Sequence, residues 1–244
     1  MKHVELIGVE GLPEIRPGDD LAVLIAGRST LVDGDVVVIA QKVVSKSEGR
    51  LVDIDSVTAG DEAKRIAPGL IAAPDPRIVQ VVLDESVRVV RSDRVLITET
   101  KHGFIGANSG VDHSNVGAGR LALLPLDPDA SARRIRDGLH ERAGVTVGVI
   151  VSDTFGRPWR LGIVNVALGV AGLPAVIDLR GSHDDAGEPL HATVIALADE
   201  IAASAGLVMR KTARTPVVVV RGLKLSGSGS GRDLIRPAGE DLFR

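Results

Sequence analysis

The 244-residue sequence has no cysteine, no tyrosine, one tryptophan and three phenylalanines. Without cysteine there is no disulfide framework and no thiolate nucleophile, which suits a reducing compartment. Six scattered histidines and no thiolate also speak against a zinc site. So few rings argue against the stacking platforms that grip single-stranded nucleic acid. Charge of either sign is not in excess: 29 Lys and Arg against 32 Asp and Glu leave −3 at pH 7. That balance supplies no long-range field for nucleic acid or an anionic membrane, so an anionic substrate must be met by local basic residues. The first residues carry Glu5, Glu10 and Glu14 and no apolar core, so no signal peptide is expected. The longest uncharged run, Leu161 to Ile177, is interrupted by Gly162, Asn165, Gly169, Gly172 and Pro174 and falls short of the roughly 20 apolar residues of a membrane span. A cytoplasmic protein with neither nucleic acid nor membrane as partner is expected. There is no P-loop, no Gly-x-Gly-x-x-Gly after a strand and no Gly-x-Ser-x-Gly elbow.

What is present reads as an ordinary globular chain, 44% apolar and 25% charged, with 28 glycines. Val/Ile-rich runs predict strands at 35–40, 79–83, 87–90, 95–98, 145–152 and 216–221. Near-continuous apolar runs such as Val147-Gly-Val-Ile-Val151 predict strands covered on both faces. Asp127-Pro128 is an N-cap and first-turn signal for a helix to about Arg142, with Ile135 and Leu139 on its apolar face. A second helix is predicted over 189–205, from Leu190, Val194, Leu197, Ile201 and Ala205 at helical spacing, with Gly206 as its stop. The fold class is α/β, in the mixed α+β sense, with two layers or more, and no linker forces a domain boundary. Ser226-Gly-Ser-Gly-Ser-Gly231 is the one low-complexity stretch; it fits either a flexible surface loop or a mobile lid whose amides and Arg232 close over phosphates.

Three segments could carry chemistry. In Val151 to Arg160 a buried-strand pattern ends in Asp153, Thr154, Arg157 and Arg160. Carboxylate and hydroxyl together suit Mg²⁺ or Mn²⁺, and the guanidiniums suit phosphate or carboxylate, at the strand end where α/β proteins place ligands. The same residues fit an Asp capping a following helix beside two solvated arginines. The Gly/Asn/Ser-rich stretch 106–117 offers Asp112 and Asn115 three residues apart, and also fits plain turn chemistry. After the strand at 35–40, Lys42, Lys46 and Arg50 recur every four residues, which on a helix makes either a solvated basic face or a phosphate-contacting stripe.

Taken in order, Gly11-Leu-Pro-Glu-Ile15, Lys42-Val-Val-Ser-Lys46, Gly110-Val-Asp-His-Ser-Asn-Val-Gly117, Ser152-Asp-Thr-Phe-Gly-Arg157 and Pro216 to Gly222 resemble the coenzyme F420-0:L-glutamate ligase family across residues 1–244. The resemblance implies a GTP-dependent γ-glutamyl ligase that adds L-glutamate to F420-0, and then further γ-linked glutamates, through an acyl phosphate. It implies one or two Mg²⁺ or Mn²⁺ ions per site, together with K⁺, and an intertwined homodimer of two-domain subunits with mixed sheets. Position by position, it implies GTP contacts from Leu12, Pro13, Glu14, Ile15, Gln41, Lys46, Asn115, Met209 and Lys211. It implies metal ligands in Asp112, Asp153 and Thr154, and a catalytic role for Arg157. Arg210-Lys211 stands where archaeal members have Gly-Gln; an ammonium there would neutralise phosphate instead of ligating metal. The flavin-binding domain fused to some relatives is not expected here, nor is its reductase activity. Two other readings remain: an amide ligase with a different carboxylate acceptor, and a non-catalytic GTP-binding relative.

Overall fold

The computed structural model describes residues 3–210 and 213–241. In chain order the strands are β1 (Glu5–Gly8), β2 (Val36–Ala40), β3 (Leu51–Asp53), β4 (Ser86–Arg91), β5 (Ile97–Thr100), β6 (Ile105–Ala107) and β7 (Arg120–Ala122), followed by β8 (Gly148–Arg157), β9 (Arg160–Ala171), β10 (Ile177–Asp178), β11 (Val194–Ile195) and β12 (Val217–Arg221). The helices are α1 (Leu21–Ala26), α2 (Gln41–Ser47), α3 (Asp61–Ile66), α4 (Pro76–Asp84), α5 (Pro128–Ala143) and α6 (Leu197–Met209).

One sheet organises the molecule, in the order β1-β12-β2-β8-β9. All neighbours are antiparallel except β2 and β8, which run parallel. The valine runs explain its position. Along β2, Val37 and Ile39 join Ile25 and Leu139 in a cluster under α1 and α5, while Val36 and Val38 join Ile201 and Ala205 under α6. A strand buried on both faces has no polar side to show, so its sequence is continuously apolar. Beyond the sheet, Ala63, Ile66, Val79, Val82 and Leu96 form another cluster, and Val81, Leu121 and Leu123 a fourth. These clusters hold α3 and α4 against the small sheets β3-β7 and β4-β5-β6. The chain is a mixed α/β fold.

Three expectations need correction. Residues 79–83 are helical, inside α4: Asp75 caps the helix by accepting the amide of Arg77, Pro76 opens it, and Val79, Val81 and Val82 are all buried. Packing on two clusters overrides the strand preference of β-branched residues. The second helix begins only at Leu197; Leu190 precedes it and Val194 lies in β11, opposite Asp178. Gly206 does not stop that helix but sits inside it, where a Cβ would come within 3.1 Å of the Asn165 side chain on β9. Third, β8 does not end at Ser152. It runs on to Arg157 and turns back as β9, so no helix follows for Asp153 to cap.

The Ser/Gly stretch is anchored at its end. The Gly231 amide donates to Asp129 Oδ1 at 2.7 Å, the same oxygen that accepts the Val170 amide of β9 at 2.8 Å. A Cβ on Gly231 would lie 2.0 Å from the Leu168 carbonyl oxygen, so only glycine allows this approach. Among the described residues no helix is long and apolar enough to cross a membrane.

Candidate functional site

The last register pair of the parallel strands is Ala40 with Ser152, so at the carboxyl end of β2 Gln41 leaves the sheet beside Asp153, which continues in β8. This is where α/β proteins collect ligand-binding groups. Gln41 opens α2 and is buried; its amide nitrogen donates to Ser45 Oγ at 3.0 Å and to the Leu123 carbonyl at 3.2 Å. One turn of α2 separates Lys42 from Lys46, and both project to carboxylates from distant segments. Lys42 Nζ donates to Asp112 Oδ2 at 2.7 Å and to the Ser114 carbonyl and hydroxyl at 2.6 and 2.7 Å. Lys46, only 8% exposed, pairs with Glu14. Arg50 lies beyond α2, bonded to Glu85 and the Leu124 carbonyl, so the basic repeat is neither one helical face nor a solvated one.

Asp112 is held by more than lysine. The Ser114 amide donates to its Oδ1 at 2.7 Å and the Ser114 hydroxyl to its Oδ2 at 3.0 Å. Burial alone would raise its pKa, but the Lys42 ammonium and the Ser114 amide outweigh it, and the carboxyl titrates below its ordinary value. Asn115 follows in the left-handed region, φ 56°, at the exposed turn of this loop. In the N-terminal segment Ile15 is buried and Leu12 packs on the α1/α5 cluster, which leaves Pro13 exposed and Glu14 outward to reach Lys46.

On β8, Asp153 and Thr154 are half-buried and pair across to Val166 and Asn165 of β9. Strand alternation puts Asp153 on one face with Phe155, and Thr154 on the other with Ser152. The Ser152 hydroxyl is buried with no hydrogen-bond partner among the described residues. Arg157 is exposed at the hairpin end, where its Nη2 donates to the Leu161 carbonyl at 2.5 Å. It lies about 13 Å along the strand from Asp153. Met209, at the end of α6, is buried, and its sulfur accepts from Asn165. Lys211 lies outside the described residues.

The fold thus brings Lys42 to Asp112 and Lys46 to Glu14, and closes Arg157 onto its own hairpin. The sequence reading named Asp112 and Glu14 but missed both pairings, because 70 and 32 residues separate the partners; only the four-residue lysine spacing pointed this way. It missed Asp199 as well, in the first turn of α6, whose Oδ1 accepts the Ala167 amide at 2.8 Å. Burial pushes the Asp199 carboxyl above its ordinary value.

The oxygens of Asp112 and Ser114 already converge on one cationic nitrogen, so the donor set is of the hard-oxygen kind that Mg²⁺ or Mn²⁺ takes. Among the described residues no three His, Asp or Glu side chains converge. An ion here would use one or two carboxylates with hydroxyl and non-protein oxygens, as ions that bind together with phosphates do.

Residues 11–222 match the family model described as F420-0:Gamma-glutamyl ligase. Three similar curated proteins carry the name coenzyme F420:L-glutamate ligase. That of Methanocaldococcus jannaschii is 45% identical over 100% of this chain and 98% of its own length. That of Methanopyrus kandleri is 45% identical over the whole of both chains, and that of Methanothermobacter thermautotrophicus 43% over 99% of each.

Proposed function

Because the chain belongs to the F420-0:gamma-glutamyl ligase family, we propose that this ligase joins L-glutamate to coenzyme F420-0, and then further glutamates in γ-linkage, with GTP as the co-substrate. The observation that carries the reading is the pairing of two α2 lysines with the carboxylates of Asp112 and Glu14 at the carboxyl ends of β2 and β8. Cations for phosphate and oxygens for a metal ion stand within one set of contacts.

A carboxylate does not give up oxide to an amine, so it must first be activated. The γ-phosphoryl of GTP passes to the terminal carboxylate of F420-0, releasing GDP and leaving an acyl phosphate. The amine of L-glutamate, having lost a proton, attacks that carbonyl; the amide forms and inorganic phosphate departs. The first step joins two anions, so the protein's task is alignment and charge neutralisation. Lys46 and Lys42 exchange their carboxylate partners for phosphate oxygens, and the fixed amide of Gln41 keeps α2 in place beneath them. Asp112 and Asp153 would hold one Mg²⁺ or Mn²⁺ and Thr154, on the opposite face of β8, would serve a second; when bound, the ions spread the negative charge of the phosphates. Met209 and the Leu12–Ile15 segment flank the nucleotide, and Arg157 reaches the site when the β8–β9 hairpin meets a second copy of the chain in a homodimer. Lys211 neutralises phosphate as an ammonium.

Purified protein incubated with F420-0, L-glutamate, GTP and Mn²⁺ should yield products heavier by successive glutamyl units, with one GDP per bond by mass spectrometry and chromatography. Product formation without nucleotide, or GDP release that never yields a heavier product, overturns the reading. Sedimentation should give the mass of two chains.

A further inference from the structure

A cavity of about 260 Å³ opens where Phe155 of β8 and Val166 and Ala167 of β9 meet the 103–105 and 234–236 segments. Its apolar walls are Phe104, Phe155, Val166 and Ile235, and its charged lining residues are Asp199, Arg236 and Asp241. Two of the four rings in the whole chain meet here, edge to face, with centroids 6.5 Å apart. Phe155 lies two residues beyond Asp153 on the same face of β8, and Val166 is the cross-strand partner of Asp153. The cavity is therefore next to the carboxylate placed at the reacting centre. The lysine helix α2 follows β2, which borders β8 on its other side. The phosphate-binding groups and this cavity consequently flank Asp153 from opposite sides of one strand.

Resting on the functional reading above, we propose that this cavity binds the planar heteroaromatic ring of the carboxylate acceptor. An in-line transfer needs donor and acceptor to approach the phosphoryl group from opposite directions; with the nucleotide on the α2 side, the acceptor comes from the β9 side. Flat apolar walls of two phenylalanines and an isoleucine suit a fused ring. The rim is complementary to the polar edge of such a ring, with the Asp199 carboxylate accepting from a ring N–H and the Arg236 guanidinium donating to a ring carbonyl. Asp199 makes no ion pair with any described residue, and the Ala167 amide, donating to its Oδ1 at 2.8 Å, fixes its orientation. The volume is below that of a site enclosing an entire drug-sized ligand, so it seats the ring and leaves the acidic arm to run along β8 toward Asp153.

The test uses the intact protein and the fluorescence of the acceptor's own ring. Phe155→Leu removes a ring while keeping an apolar side chain, and Ile235→Trp fills the cavity. Each should weaken acceptor binding at least about tenfold while the Kd for GTP with Mn²⁺ stays within about twofold and the thermal transition remains cooperative. Arg236→Ala, on the exposed rim, should weaken acceptor binding about threefold without touching the fold. Unchanged acceptor affinity in folded Phe155→Leu and Ile235→Trp overturns the assignment, as does loss of GTP affinity with acceptor binding intact, which would give the cavity to the nucleotide base. A wild-type protein that binds no acceptor at all overturns the functional reading itself, and the occupant of the cavity falls with it.

Discussion

The two ends of β2 carry charge in opposite ways. At the amino end Asp35, its side chain wholly buried, receives both Nε and Nη2 of Arg221 at 2.8 and 2.7 Å, and the Val32 amide at 2.9 Å. Every contact joins neighbouring strands or a flanking turn, and no other ligand could take either partner's place without unpicking the sheet. At the carboxyl end Lys42 and Lys46 pair with side chains from a glycine-rich loop and an exposed N-terminal turn, and Glu14 is 76% exposed. Those pairs join α2 to two loops, and in the proposed function they are exchanged for a phosphate or a cation. The same chemistry of opposite charges holds the fold in one place and keeps a site ready in the other.

The sharpest way to break this comparison is at the site. Asp112→Asn and Asp153→Asn should each lower the ligation rate by at least about 10³-fold, about 4 kcal/mol of transition-state stabilisation, while the denaturation midpoint stays near that of the wild type. A variant that retains full rate removes its residue from the metal set. At the other end Asp35→Ala should do the reverse. By stranding Arg221 and the Val32 amide it should cost about 3 kcal/mol in urea denaturation, with the rate per folded molecule unchanged.

Smaller effects sharpen the contrast. Lys46→Met should raise the Kd for GTP about tenfold, about 1.4 kcal/mol, with little loss of stability, because its partner Glu14 returns to water. Asp20 belongs with the fixed charges: it caps α1 through the Val23 amide and ties the helix to Arg142 of α5. Asp20→Ala should cost about 1 kcal/mol. The Arg142 guanidinium, more than the Val23 amide, holds the Asp20 carboxyl below its unfolded value of 3.8. A depressed carboxyl contributes stability above the unfolded pKa and loses it as pH falls through the folded one. The gap between wild type and Asp20→Ala should therefore be full at pH 6 and shrink below about pH 4 in parallel urea titrations.

Where local signals agreed, the sequence was enough. The run 35–40 is β2 to within a residue, 216–221 is β12, and Asp127-Pro128 opens α5, which ends where Gly144 turns left-handed. Residues 79–83 defeated the reading because five apolar-rich residues fit either period, and only the two clusters they fill decide between them. Gly206 misled for a related reason: a glycine reads as a stop, while here it makes room for Asn165. The residue types of the site were legible, as Asp, Thr and Lys at strand ends. Their partnerships were not, since Lys42 and Asp112 meet only after β2, β3 and β7 have folded the loop back over α2.

The tether at Gly231 has a use in protein engineering. The Leu223–Ser230 connection starts at Gly222, packed against the His3 carbonyl, and finishes at Gly229 and Gly231, both held against backbone. Leu223 and Leu225 pack on the α6 cluster. Between these fixed points Ser226, Gly227 and Ser228 are exposed, and a Cβ on Gly227 would meet nothing within 4 Å. A reporter domain or an affinity tag spliced between Gly227 and Ser228 would enter the chain between anchored points, away from strand β12 and the 231–234 turn.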